Sequence, residues 1–130
     1  MKRVSFEVAK AIKEVGYPQD YRTDIYYSNE SEDASGYGYQ EGDEISYDAV
    51  RKNQIEAIAA PTYLEVWLWL CDKGIVFYPA MYSAHNPSGW SCYYRDNIRI
   101  IDLDTFGVYN NPEEAIIAAI EYLVTNNLIK

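Results

Sequence analysis

The segment Ala60-Pro61-Thr62-Tyr63-Leu64-Glu65-Val66-Trp67-Leu68-Trp69-Leu70-Cys71-Asp72-Lys73-Gly74 is the most apolar run of the chain and carries two of its three tryptophans. Its local grammar predicts a helix over Tyr63 to Lys73. Thr62 is a favourable N-cap, Glu65 three residues on completes a capping box, and Gly74 supplies a stop that tolerates positive φ. At about 100° per residue, Val66, Leu70, Tyr63, Trp67, Cys71, Leu64 and Leu68 sweep an arc of roughly 200°. Trp69 falls outside that arc, among Glu65, Asp72 and Lys73 and nearly opposite Trp67. A helix this apolar needs cover from both sides.

Downstream of Gly74, Ile75-Val76-Phe77-Tyr78 is β-branched and aromatic, and Pro79, lacking an N–H, suits a strand end or an edge strand. Ala84 to Gly89 has loop composition. Trp90 to Arg95 alternates with Trp90, Cys92 and Tyr94 on one face, Asp96-Asn97 suits a turn, and Ile98 to Ile101 can pair back as a third strand. The last helix is capped by Asn111, with Pro112 at its first position and Glu113 and Glu114 in its first turn. Ala115, Ile116, Ala119, Ile120 and Leu123 form its buried stripe, and Asn126-Asn127 closes it.

Upstream, Ala49 to Ala59 is helix-forming material that stops before Pro61. Ser28 to Asp48 is polar, Gly-containing and almost free of aliphatics, which reads as a loop. Tyr21 to Tyr27 alternates as a short strand, with Tyr21, Thr23, Ile25 and Tyr27 facing one way. The first helix starts at Val4 or Phe6 and runs to Val15; Val4, Val8, Ile12 and Val15 make its stripe, Gly16 ends it and Pro18 prevents its resumption. The predicted fold is a single α+β domain over residues 1–130, an antiparallel meander of three to four strands packed by about three helices. In that arrangement the meander covers the Trp67 side of the central helix, and the first and last helices cover the rest. Trp69 is then expected to be buried and Leu68 partly exposed.

A chain of 130 residues with 48% apolar and 24% charged residues has the size and composition of an ordinary globular domain. Nothing approaches the ~18 uninterrupted apolar residues of a membrane span. Charges at Glu7, Lys10, Lys13 and Glu14 interrupt any signal-peptide core, so a cytoplasmic protein is expected. Cys71 and Cys92 have no CxxC or metal-type spacing and read as two buried free thiols.

Catalytic signals are sparse. His85, the single histidine, stands in a turn-rich loop with no nucleophile motif around it. Gly36-Tyr37-Gly38 lacks the spacing of a phosphate-binding loop. Asp43, Glu44 and Asp48, or Glu30, Glu32 and Asp33, offer oxygen ligands without the spacing of a calcium loop. Asp102 and Asp104 flank Leu103 as a pair of strand-end acids. No catalytic residue, metal or cofactor is assigned on these grounds.

The unusual features are fourteen tyrosines and a net charge of −9. Residues 20–48 hold nine acids, Asp20, Asp24, Glu30, Glu32, Asp33, Glu41, Asp43, Glu44 and Asp48, against Arg22 alone. Within that stretch Tyr26, Tyr27, Tyr37, Tyr39 and Tyr47 alternate with Ser, Gly, Asn and acids. Rigid amphipathic rings on a hydrogen-bonding backbone are the composition of a protein-binding surface. The charge favours a basic partner and repels nucleic acid. The same composition also suits an acidic loop that serves only solubility.

The pattern Ala60-Pro61-Thr62-Tyr63, then Trp69-Leu70, then Lys73-Gly74-Ile75 resembles small uncharacterised proteins of phages, prophages and mobile elements of Bacteroides-type gut bacteria. Their opening helix, Ser-Phe-x-x-Ala-Lys ending in Gly-Tyr-Pro, is matched by Ser5 to Pro18, and their closing Ala-rich helix by Ala115 to Leu123. The resemblance spans both ends and the middle, fails over the acidic stretch, and implies genetic context without an activity. The expectation is a non-enzymatic interaction protein, a monomer or weak homodimer, that uses Tyr26, Tyr27, Tyr37, Tyr39, Asp43, Glu44 and Tyr47 against a basic protein. A DNA-mimic inhibitor of a nucleic-acid-binding protein is the first alternative. A small hydrolase built on His85 with Asp102 or Asp104 is the second.

Overall fold

The computed structural model describes residues 2–20, 23–29, 40–82, 89–95 and 109–129, with the side chains of Asn53 and Tyr82 excepted. The fold is α+β, as the sequence predicts, with helices α1 (Phe6–Glu14), α2 (Tyr47–Asn53), α3 (Tyr63–Asp72) and α4 (Pro112–Thr125). The strands are β1 (Ile25–Ser28), β2 (Glu44–Ser46), β3 (Ala57–Ala59), β4 (Phe77–Tyr82) and β5 (Gly89–Tyr94). They form two antiparallel sheets, β2-β1-β3 and β4-β5. The chain divides into two compact units, Lys2–Thr62 and Tyr63–Lys130.

In the Lys2–Thr62 unit, β1 is the central strand. Its register sets Tyr26 opposite Ile45 on one side and Ala59 on the other. Tyr26, Tyr27 and Ser28 are all buried, so the in–out burial expected of this strand does not hold at its end. Successive side chains of a strand point to opposite faces, and here both faces are covered. Tyr27 meets the ring of Phe6 edge-on at 5.8 Å, and Tyr26 lies 5.7 Å from the ring of Tyr47. Those partners belong to α1 and α2, so a helix lies on each side of β1.

Two elements of this unit differ from the sequence reading. The helix expected over Ala49–Ala59 is displaced to Tyr47–Asn53, with Ser46 as N-cap and Gln54 in the left-handed region at its end. Ala57-Ile58-Ala59, good helix-formers in isolation, become β3 because pairing with β1 outweighs propensity. Glu44-Ile45-Ser46, inside the expected loop, is an edge strand with only Ile45 buried.

In the Tyr63–Lys130 unit, α4 packs against β4, β5 and α3. Its N-cap Asn111 accepts from Glu114 N–H at 2.8 Å, and Ala115, Ile116, Ala119, Ile120 and Leu123 are buried, as the stripe predicts. Pro79 sits inside β4 opposite Cys92. The bond from Arg95 N–H to Val76 C=O puts the hydrogen-bonded positions of β4 at even-numbered residues, so the nitrogen of Pro79 faces away from the ladder. Trp90 exchanges backbone hydrogen bonds of 2.7 and 2.9 Å with Tyr109 on the other edge of β5. The expected strand Ile98–Ile101 lies outside the described residues.

The central helix is buried along one stripe. Tyr63, Val66 and Leu70 are buried, but Leu64 and Leu68 are 41% and 56% exposed. Trp67 and Trp69 flank the buried stripe. Trp67 donates to Phe77 C=O at 2.9 Å and lies 6.2 Å from that ring, as cover by the following strand predicts. Trp69 is half-buried with the Lys73 ammonium 5.2 Å from its ring centroid, more open than expected. Leu68 is exposed as expected; Leu64 joins it because only half of the apolar arc is used.

Candidate functional site

The acidic stretch enters the structure at Gln40. Residues 40–43 form a turn in which Asp43 N–H bonds Gln40 C=O at 3.0 Å and Asp43 Oδ2 accepts from Gln40 N–H at 2.8 Å. Gly42, at φ +90°, occupies the position that admits glycine most readily, and it lies against Phe6. Gly42 and Ser28 N–H then bond Ser28 and Asp43 C=O, both at 2.8 Å, which leads the chain into β2. Ser46 ends the strand and caps α2, its Oγ accepting from Ala49 N–H at 3.2 Å. Strand and helix therefore share one residue, which holds this segment in a fixed path.

This path exposes Glu41, Asp43, Glu44 and Asp48. No basic residue lies between Gln40 and Asp48; Arg51 and Lys52 stand in the last turn of α2. Tyr47 is half-buried beside the strand end.

The seven residues singled out from sequence do not form one surface. Tyr26 and Tyr27 are core residues, 3% and 8% exposed, and this corrects their assignment to a binding surface. The Tyr26 hydroxyl lies within reach of Gln19 C=O, at 3.1 Å, and of Asp20 C=O. Tyr27 donates to Val4 C=O. Burial, with Tyr47 and Asp20 beside it, pushes the Tyr26 hydroxyl up to about 12. Burial also raises Tyr27, reinforced by Glu44 and opposed by Arg3. Each ring is buried with its hydroxyl bonded to a backbone carbonyl, which ties β1 to the segments around Gln19 and Val4. Asp43, Glu44 and Tyr47 do come together, on and beside β2. Tyr37 and Tyr39 lie outside the described residues, as do His85, Asp102 and Asp104.

The two edges of the three-stranded sheet differ. At the β3 edge, Ala59 N–H donates to Gln19 Oε1 at 2.9 Å, Val4 N–H donates to Pro61 C=O at 2.9 Å, and Arg3 bridges Thr62. At the β2 edge no strand pairs among the described residues. In the sequence, the acid-rich composition masks the exposed-buried-exposed alternation Glu44-Ile45-Ser46 that marks this edge.

Among the described residues no three acids, histidines or cysteines group to hold a metal ion, and no helix is long and apolar enough to cross a membrane. Both cysteines are free; Cys92 is buried as expected, whereas Cys71 is half-buried. Compared with protein-family models, curated proteins and solved structures, the chain matches none.

Proposed function

We propose that this chain is a non-enzymatic interaction protein, of the phage or mobile-element kind that its sequence resembles, and that it binds a basic protein partner through the acidic segment around β2. The observation that carries the reading is the side-by-side exposure of Asp43 and Glu44 between Glu41 and Asp48, with no base among them. Exposed like charges on one segment attract an oppositely charged surface and speed encounter, with an effect that salt screens. Tyr47 contributes a half-buried ring beside the acids, and Tyr37 and Tyr39 extend the aromatic supply along the same segment. Tyr26 and Tyr27 leave the contact set and act as its foundation.

The test is affinity capture on the immobilised chain, with proteins identified and eluted in a salt gradient. The wild type should retain basic proteins that elute as salt rises. A variant carrying Tyr37→Ala, Tyr39→Ala, Asp43→Asn and Glu44→Gln should lose them. An unchanged captured set would end this reading.

A further inference from the structure

We infer that the outer edge of β2 accepts an extended basic segment of a protein partner as an added strand. The inference rests on the acidic-segment reading above and specifies its mode.

The backbone geometry defines what the edge offers. Ser28 N–H bonds Asp43 C=O at 2.8 Å and Tyr47 N–H bonds Asp24 C=O at 2.9 Å. In an antiparallel ladder hydrogen-bonded pairs alternate with non-bonded ones. Asp43, Ile45 and Tyr47 therefore turn their peptide groups toward β1, and Glu44 and Ser46 turn theirs away from it. The register Tyr26–Ile45 agrees. Both outward-turned residues are exposed, while Ile45 between them is buried. The strand is fixed from below and presents donors and acceptors at its rim.

Two observations select the occupant. The opposite edge of the same sheet is engaged by Gln19 at Ala59 and, just past β3, by Val4 at Pro61 and Arg3 at Thr62, whereas no strand pairs with the β2 edge among the described residues. That side carries Glu44 and is bounded by Asp43 and Asp48, all exposed. Charges on an edge strand normally repel another copy of the same edge. Here the charge is acidic throughout, so it excludes a second copy and admits a lysine- or arginine-rich strand. Main-chain bonds supply affinity in such complexes and alternate side chains supply specificity.

The backbone of Ser46 supplies a clean test. Its φ of −70° and ψ of 153° fit proline, so Ser46→Pro removes the outward N–H without changing the path of the chain. Ser46→Ala loses the same helix cap and keeps the N–H, which makes it the reference. The probe is a peptide of about ten residues alternating lysine and threonine, together with its analogue N-methylated at alternate residues and equal in charge. Titration calorimetry should show the parent binding wild type, with salt-sensitive affinity. Ser46→Pro should bind about tenfold more weakly than Ser46→Ala, and wild type should discriminate against the N-methylated analogue similarly.

Binding that survives both N-methylation and Ser46→Pro, but is lost in Asp43→Lys/Glu44→Lys, overturns strand addition and leaves the acidic-segment reading standing. Binding that ignores the charge reversal overturns that reading as well. If Ser46→Pro does not fold, the N-methylated analogue on wild type still decides. Failure of the parent peptide to bind at millimolar concentration overturns the inference.

Discussion

The hydroxyl of Tyr63, at the start of α3, donates a 2.7 Å hydrogen bond to the Glu121 carboxylate on α4. Tyr63 is 1% exposed whereas Glu121 is exposed, so a buried ring delivers its polar end to a charge that keeps its solvent. Such a bond fixes the rotation of one helix against the other. Tyr63→Phe keeps the ring and removes the donor, and should lower unfolding free energy by about 1–2 kcal/mol. A double-mutant cycle with Glu121→Gln in urea melts should give a positive coupling energy. Strict additivity would show that the bond contributes nothing.

All four described helices end on a residue of positive φ, Gly16, Gln54, Gly74 and Asn127. In each the following N–H reaches back to a carbonyl five residues earlier: Tyr17 to Ile12, Ile55 to Val50, Ile75 to Leu70, Leu128 to Leu123. These bonds satisfy carbonyls that a helix end leaves open. Glycine pays no steric cost there and other residues do. Gln54→Gly and Asn127→Gly should each stabilise by up to about 1 kcal/mol, and Gly74→Ala should cost about as much. A Cβ at Gly74 meets nothing within 4 Å, so its cost is conformational, and a thermal melt unchanged by Gly74→Ala would contradict this account.

Those helix ends mark what could be read in advance. Gly16, Gly74 and Asn111 act within one turn of themselves, so local chemistry alone locates α1, α3 and α4. β3 and the burial of Tyr26 and Tyr27 depend on partners far along the chain, Ala59 for Tyr26 and Val4 for Tyr27. Side-chain periodicity cannot report such pairings. The candidate site was legible as composition only. Asp43 and Glu44 were identified by their charge, but the outward-turned peptide groups of Glu44 and Ser46 come from register with β1. The exposed pair Leu64 and Leu68 follows the same logic, because an apolar arc says what can be buried and packing decides how much is.

Two buried hydroxyls, Thr23 Oγ1 and Ser91 Oγ, have no hydrogen-bond partner among the described residues. A buried hydroxyl left without a partner costs about 1–3 kcal/mol. Ser91→Ala and Thr23→Val remove the polar atom at nearly constant shape, so each should leave stability unchanged or raise it. Their effect should differ in sign from Tyr63→Phe, measured in the same urea titration. A loss above about 1 kcal/mol in either variant would mean the hydroxyl has found a partner, such as a buried water.

Cys92 and Cys71 should separate by chemistry. Cys92 is fully buried, and desolvation pushes its thiol from 9.0 up to about 12; Cys71 is half-buried. The thiolate is the reactive form, so at pH 8 a disulfide reagent should modify Cys71 in the native protein and reach Cys92 only in denaturant. The same shift couples to stability. A thiol that holds its proton more tightly when folded contributes fully below pH 9 and loses that contribution as pH rises toward about 12. Burial raises Tyr26, also to about 12, and Tyr27, Tyr94 and Tyr109 in the same direction. All five slopes share one sign. Unfolding free energy should therefore fall steadily from about pH 9 upward. Cys92→Ala and Tyr26→Phe each delete one titrating group, so despite lower stability at pH 7 each should show a shallower decline between pH 9 and 12. A decline equally steep in both variants and wild type would place the alkaline sensitivity elsewhere.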